Sequence, residues 1–418
     1  MGSAAGAVAG SNALTAQEGG GNAGVGGTGA DINKGATAVG GTHTQQLLTA
    51  GLEEGAKAGG STAALGAPTV VAAAAEQPAR IWATAAGDQL ELRCLDRFQK
   101  VTGEEFRLRV ARYVGKGGNA TVWEVEKVKH SYASGSSSSS DTQGEGPPAC
   151  MALKLSYRYC DLKEDQKRHF TVEELAKTNA YAMAMECAIH LKCASCVFIT
   201  KCYGWGVVTL PDGGQLHGML LELSKLGSVD KLLVQNGIPC GLDEERAKKI
   251  MRGAKLGLQE LHLKGRTIHR DLKPSNLLLF GISLEKSMVK LSDLGSGKEL
   301  HSLGSFAKSV HVGTRVYHPP ELLQGYSYDS RMDTWLLGLL LLELCTGFTP
   351  FWYLDVVCNT EEEVQARKCP EEMDNPESPY YDCLTAEEKA FVKQCIVVDH
   401  RLRPAVKELS SITRYFLW

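Results

Sequence analysis

The chain has 418 residues, with 45 basic and 48 acidic side chains, a formal net charge of -3 and a pI near 6.4. That balance offers no basic field for nucleic acid, and no block of Lys or Arg suits an anionic membrane surface. There is no apolar run of 18 or more residues and no basic segment ahead of a leucine-rich core at the N-terminus, so neither a spanning helix nor a secretory signal is expected.

Residues 1–85 are mostly Gly, Ala, Thr and Ser, with Lys34, Lys57 and Arg80 as their only cations. Too few large apolar side chains are present to offset the entropy of ordering the backbone, so this stretch reads as a disordered tail. Gly2 is a poor myristoylation match because position 6 is Gly rather than Ser or Thr. Residues 86–105 read as an extension able to pack on the domain that follows. The 13 cysteines are scattered rather than framed in pairs, which predicts reduced thiols; with no signal or spanning segment visible, a cytoplasmic or nuclear address is expected. Cys193 and Cys196 form one CxxC with no second half-site, which argues against zinc.

From Phe106, apolar Phe106, Leu108 and Val110 alternate with Arg107 and Arg109, a period of two that predicts a half-buried strand. A second strand is expected over Thr121 to Val128. Between them lies Gly115-Lys116-Gly117-Gly118-Asn119-Ala120-Thr121-Val122, where glycines let the backbone approach phosphate oxygens. Residues 129–149, with consecutive serines from Ser136 to Ser140, read as a flexible insertion. The apolar strand Cys150 to Leu155 then carries a single cation, Lys154, and a buried lysine needs a partner. Met219 to Leu223 reads as a buried strand leading into a connector at Gly227-Ser228. Asp243 to Lys264 has helical periodicity and ends before Gly265, a candidate C-cap.

The run His269-Arg270-Asp271-Leu272-Lys273-Pro274-Ser275-Asn276 is followed, 17 residues after Asn276, by Asp293-Leu294-Gly295. These groups equip a loop system for phosphoryl transfer. Asp271 can orient a hydroxyl and accept its proton, Lys273 can sit beside the transferring phosphate, and Asn276 with Asp293 can supply oxygen ligands to Mg2+. Further on come Gly313 to Glu321, a strongly apolar helix that opens on one acid, Asp333, and the late run Asp399 to Pro404.

The HRDLKPSN run resembles the catalytic loop of the eukaryotic protein kinases, and the likeness extends from about Phe106 to the C-terminus. The resemblance implies an α+β, bilobal fold: a small antiparallel β-sheet lobe with one helix over about 106–222 and a larger, mainly α-helical lobe over about 226–418. It implies ATP and Mg2+ as cofactors. Gly115, Lys116, Gly117, Gly118, Asn119, Ala120 and Val122 would cover the nucleotide. Lys154 would hold its phosphates and pair with a helix glutamate, for which Glu186 is the choice on spacing and Glu174 the fallback. Ala152 and Leu221 would line the adenine pocket, with backbone groups of Glu222 and Leu223 on the adenine edge.

By the same resemblance, Thr314 would lie near Asp271 and Lys273, Glu321 would pair with Arg403, and Asp333 would tether the catalytic-loop backbone. Lys273 points to serine/threonine substrates. Arg270 suggests control by a phosphate on Ser309, with Ser305 and Ser302 as further candidates, placed there by an upstream kinase. Protein substrates and a monomeric state are expected. Ala120, in place of a third glycine, and Leu294, in place of phenylalanine, are the features that favour the rival reading of a pseudokinase scaffold; a small-molecule kinase is the other rival.

Overall fold

In the computed structural model of the chain, the residues described are 84–96, 100–117, 120–128, 148–300, 313–350, 373, 375–376 and 380–409. The predicted tail up to residue 83, most of the insertion, Gly118, Asn119 and all three candidate phosphoserines lie outside them.

Six antiparallel strands form the first part: β1 (Gln89–Leu95), β2 (Val101–Lys116), β3 (Ala120–Lys127), β4 (Cys150–Ser156), β5 (Cys202–Thr209) and β6 (Gln215–Leu221). The pairing runs β1 to β2, β2 to β3, β3 to β4, β4 to β6 and β6 to β5, and β1 also pairs with β5. Strand β2 thus begins at Val101 rather than Phe106, because β1 extends the ladder to the pair Leu95 and Val101. The inward side chains are those that alternation selects, among them Leu90, Leu92, Leu108, Val110, Val125, Leu153 and Leu220.

Helix α1 (Val172–Lys192) packs on β5 and β6 through Met183, Ala184 and Cys187 against Trp205 and Met219. It starts at a capping box: Glu174 N–H donates to Thr171 Oγ1 at 3.2 Å, and Thr171 N–H donates to Glu174 Oε2 at 2.8 Å. Glu174 is therefore an exposed cap, engaged at the far end of the helix from Glu186.

The second part is mainly helical. Helix α2 (Glu244–Leu263), capped by Asp243, and helix α3 (Met332–Thr346) share a large apolar core with helix α4 (Ala386–Cys395). Helix α3 is buried on every side, as its run of leucines requires. It stops at Gly347, whose φ of 78° is the left-handed conformation of a helix C-cap. Gly265 has no such φ; its hydrogen is needed because a Cβ would fall 2.6 Å from the Leu261 carbonyl oxygen and 3.1 Å from Cys193 Sγ. A two-stranded ladder, β7 (Leu277–Phe280) and β8 (Met288–Leu291), follows the HRDLKPSN run and presents Asp293 at its end.

Candidate active site

The backbone of the HRDLKPSN run is fixed by Asp333, which is wholly buried at the start of α3. Its Oδ1 accepts from Arg270 N–H at 2.9 Å, and its Oδ2 accepts from His269 N–H at 2.8 Å and from His262 Nε2 at 2.7 Å. Burial opposes the charge, but these donors outweigh it and hold the carboxyl below the usual range. Arg270 and Asp293 both adopt positive φ, 67° and 55°, a costly conformation for non-glycine residues that the surrounding bonds hold in place.

Four hydrogen bonds aim the Asp271 carboxylate. Thr314 N–H and Oγ1–H reach Oδ1 at 2.9 and 2.8 Å, while Lys273 Nζ and Asn276 Nδ2 reach Oδ2 at 2.9 and 3.0 Å. Lys273 also donates to Thr314 Oγ1 at 2.7 Å. This closeness depends on Gly313, φ 81°, since a Cβ there would lie 2.4 Å from the Arg270 carbonyl oxygen.

Lys154 on β4 donates to Glu186 Oε1 and Oε2 at 2.9 and 2.8 Å and to Asp293 Oδ1 at 2.8 Å. Burial alone would lower the Lys154 pKa, but the two carboxylates outweigh it and keep the ammonium charged, above the ordinary lysine range. The Lys154 ammonium beside it holds the Asp293 pKa below the usual carboxylate value.

A magnesium nucleotide fits these groups. The Asn276 side-chain nitrogen donates to Asp271, to the backbone oxygen at 2.7 Å and to Oδ2 at 3.0 Å, which leaves the amide oxygen for a cation. The Asp293 side chain is 47% exposed. Mg2+ takes one or two such oxygens, with phosphate and water completing its shell, so no all-protein cage is required. Among the described residues no cluster of three His, Cys, Asp or Glu forms one. Cys193 and Cys196 are free, buried thiols.

In the glycine-rich turn, Gly115 and Lys116 pair with Val122 and Thr121, and Gly117 N–H donates to the Ala120 oxygen at 2.8 Å. Ala120 is buried in β3 without a positive φ, so its methyl causes no backbone strain. Ala152 pairs with Leu221 across β4 and β6. Glu222 N–H is engaged by the Lys201 oxygen at 2.9 Å, and its carboxylate accepts from Lys290 at 2.7 Å, which leaves its carbonyl as the free backbone group. Leu278 was missed in the sequence. It is half-buried between core residues Leu277 and Leu279 and bridges to Ser228 of the connector, and the alternation within β7 is the signal that singles it out.

Farther out, Arg403 forms a fork on Glu321, Nη1 to Oε1 at 2.6 Å and Nη2 to Oε2 at 2.7 Å, and lies 4.9 Å from the Trp335 ring centre. The Arg270 guanidinium donates to the Ser296 oxygen at 2.7 Å and to Tyr328 Oη at 2.9 Å. No helix of the described residues is long and apolar enough to cross a membrane.

The protein kinase domain family matches residues 161–415. Mitogen-activated protein kinase kinase 1 of Arabidopsis thaliana is 30% identical over 303 residues, 72% of this chain and 72% of that protein. Human dual specificity mitogen-activated protein kinase kinase 7 is 32% identical over 242 residues, 55% of this chain and 52% of its own. Human serine/threonine-protein kinase Nek2 is 44% identical over 114 residues, 26% of this chain and 24% of its own. With more than half of its length matched and with the geometry described above, this chain belongs to the eukaryotic protein kinase superfamily.

Proposed function

We propose that the chain is an ATP-dependent serine/threonine protein kinase that transfers the γ-phosphoryl group of MgATP to protein hydroxyls. The observation that carries this reading is the Asp271 carboxylate, held at 2.8 to 3.0 Å by Thr314, Lys273 and Asn276. Asp271 orients the substrate hydroxyl and accepts its proton, and Lys273 steadies the phosphoryl group beside it. Lys154, kept charged and fixed by Glu186, holds the nucleotide phosphates. Asn276 and Asp293 would hold Mg2+, which would neutralise phosphate charge. The remaining contribution of the protein is positioning rather than covalent chemistry.

The preference for serine and threonine rests on Lys273, two residues after Asp271. Similarity to a kinase named as dual specificity favours a second reading, in which tyrosine is also accepted. The test is phosphotransfer by the full chain, with ATP, onto arrayed peptides bearing Ser, Thr or Tyr, beside an Asp293→Ala control. Label on Ser and Thr alone supports the first reading, and added label on Tyr supports the second. Nucleotide binding without transfer to any peptide would instead leave the scaffold reading. Regulation by an upstream kinase at Ser309 belongs to the same proposal, and alanine at Ser302, Ser305 and Ser309 together is expected to lower activity.

A further inference from the structure

Helix α1 meets strand β5 at two sulfurs. Cys187 Sγ and Cys202 Sγ lie 3.8 Å apart, both thiols are free, and the residues are 15 apart in sequence. A cleft of about 370 Å³ opens onto them, lined also by Cys94, Leu95, Ala184 and Trp205. We propose that Cys187 and Cys202 are a modification site, a thiol pair that a peroxide converts to a reversible disulfide joining α1 to β5.

The geometry requires little movement. A disulfide needs sulfurs about 2 Å apart, so the pair must close by less than about 2 Å. The β5 to β6 ladder is already irregular between Cys202 and Gly204, so Cys202 sits where the strand can adjust. Both sulfur-bearing residues line the cleft, which gives a small oxidant its approach, although Cys187 itself is only 4% exposed. The contact with the Cys202 sulfur holds the Cys187 pKa below the ordinary thiol value, although burial opposes this.

The chemistry balances with hydrogen peroxide as oxidant. The Cys187 thiolate attacks one peroxide oxygen, the O–O bond breaks, and the departing hydroxide takes up the proton that Cys187 had released. The products are a sulfenic acid and one water. The Cys202 sulfur then attacks the Cys187 sulfur; the S–O bond breaks, the S–S bond forms, and the hydroxyl leaves as a second water with the Cys202 proton. Two thiols are oxidised and one peroxide is reduced to two waters, and a dithiol reductant reverses the result. Because Cys187 adjoins Glu186, the cross-link would also fasten the helix that carries the partner of Lys154.

The test is peptide mapping of the full chain after brief exposure to hydrogen peroxide, with free thiols alkylated before digestion. The expected result is one linked peptide pair, Cys187 to Cys202, lighter than the two reduced peptides by two hydrogens and released by dithiothreitol. Loss of two alkylatable thiols should accompany it. In Cys202→Ser the linked pair is absent and Cys187 carries a sulfenic-acid label instead. Full alkylation of both residues after peroxide would overturn the proposal, and so would a link from either one to Cys94. None of these readouts depends on phosphotransfer.

Discussion

At the scale of single residues, the active-site groups are held by hydrogen bonds that can be removed one at a time. Asp271→Asn keeps the shape and removes the proposed base. Turnover is expected to fall by about 10²- to 10⁴-fold, with the dissociation constant for ATP nearly unchanged. Steady-state phosphotransfer beside calorimetric nucleotide titration reads both, and a variant that retains full kcat would remove Asp271 from the chemistry. Thr314 is the second case, since its hydroxyl touches both Asp271 and Lys273. Hydrogen bonds to charged groups contribute about 1.5 to 3 kcal/mol. Thr314→Val should therefore lower kcat/KM for peptide by roughly 10- to 100-fold, whereas Thr314→Ser should restore most of it. An equal loss in Thr314→Ser would show that the hydroxyl alone does not carry the effect.

At the scale of the element, helix α1 joins a useful residue to a costly one. Glu186 and His190 are one turn apart, yet Glu186 has Lys154, while neither ring nitrogen of His190 makes a hydrogen bond of normal geometry, the Thr200 backbone giving only a weak contact, although the residue is 3% exposed. Burial, with the Lys154 ammonium nearby, pushes the imidazole down to about 4 from 6.5. Unmet buried polar groups cost about 1 to 3 kcal/mol, so His190→Leu should raise the unfolding free energy by that order at pH 7. The pH dependence has a definite sign. Between pH 6.5 and 4 the unfolded chain binds a proton at this histidine that the folded chain does not, so the parent loses stability as pH falls through that window. The full effect is roughly 3 kcal/mol. Glu343, pushed up to about 7 by burial, acts in the opposite direction, because its proton is lost from the unfolded chain first as pH rises. The proper readout is thus the difference between His190→Leu and parent in urea melts at pH 7 and pH 5. That gap should widen at pH 5, and a constant gap would contradict a neutral buried imidazole.

At the scale of the whole molecule, what the sequence revealed depended on separation along the chain. The Asp271, Lys273 and Asn276 groups stand within one short run, so their mutual reach could be read from spacing. Lys154 and Glu186 are 32 residues apart, and the choice of Glu186 over Glu174 needed helix phase; the structure adds the reason that Glu174 is engaged as a cap. The weakly bonded nitrogens of His190 could not be read at all, since periodicity gives a buried face but not the quality of the partners on it. Strand β1 is legible, since Leu90, Leu92 and Cys94 alternate with Glu91 and Arg93, yet it falls within the extension expected ahead of Phe106. These three side chains are at most 3% exposed, and the strand pairs with both β2 and β5. Burying a leucine contributes about 1.5 to 3 kcal/mol, so the two leucines alone supply about 3 to 6 kcal/mol. A folded domain has only about 5 to 15 kcal/mol in hand, and removing β1 would also expose two strand edges to other chains. Removal of residues 1–83 should therefore leave the melting temperature nearly unchanged, whereas removal of residues 1–100 should lower it sharply and promote aggregation. Thermal melts and light scattering of the two truncations decide it. Matching melts would mean that the folded unit begins at β2 and that β1 is dispensable.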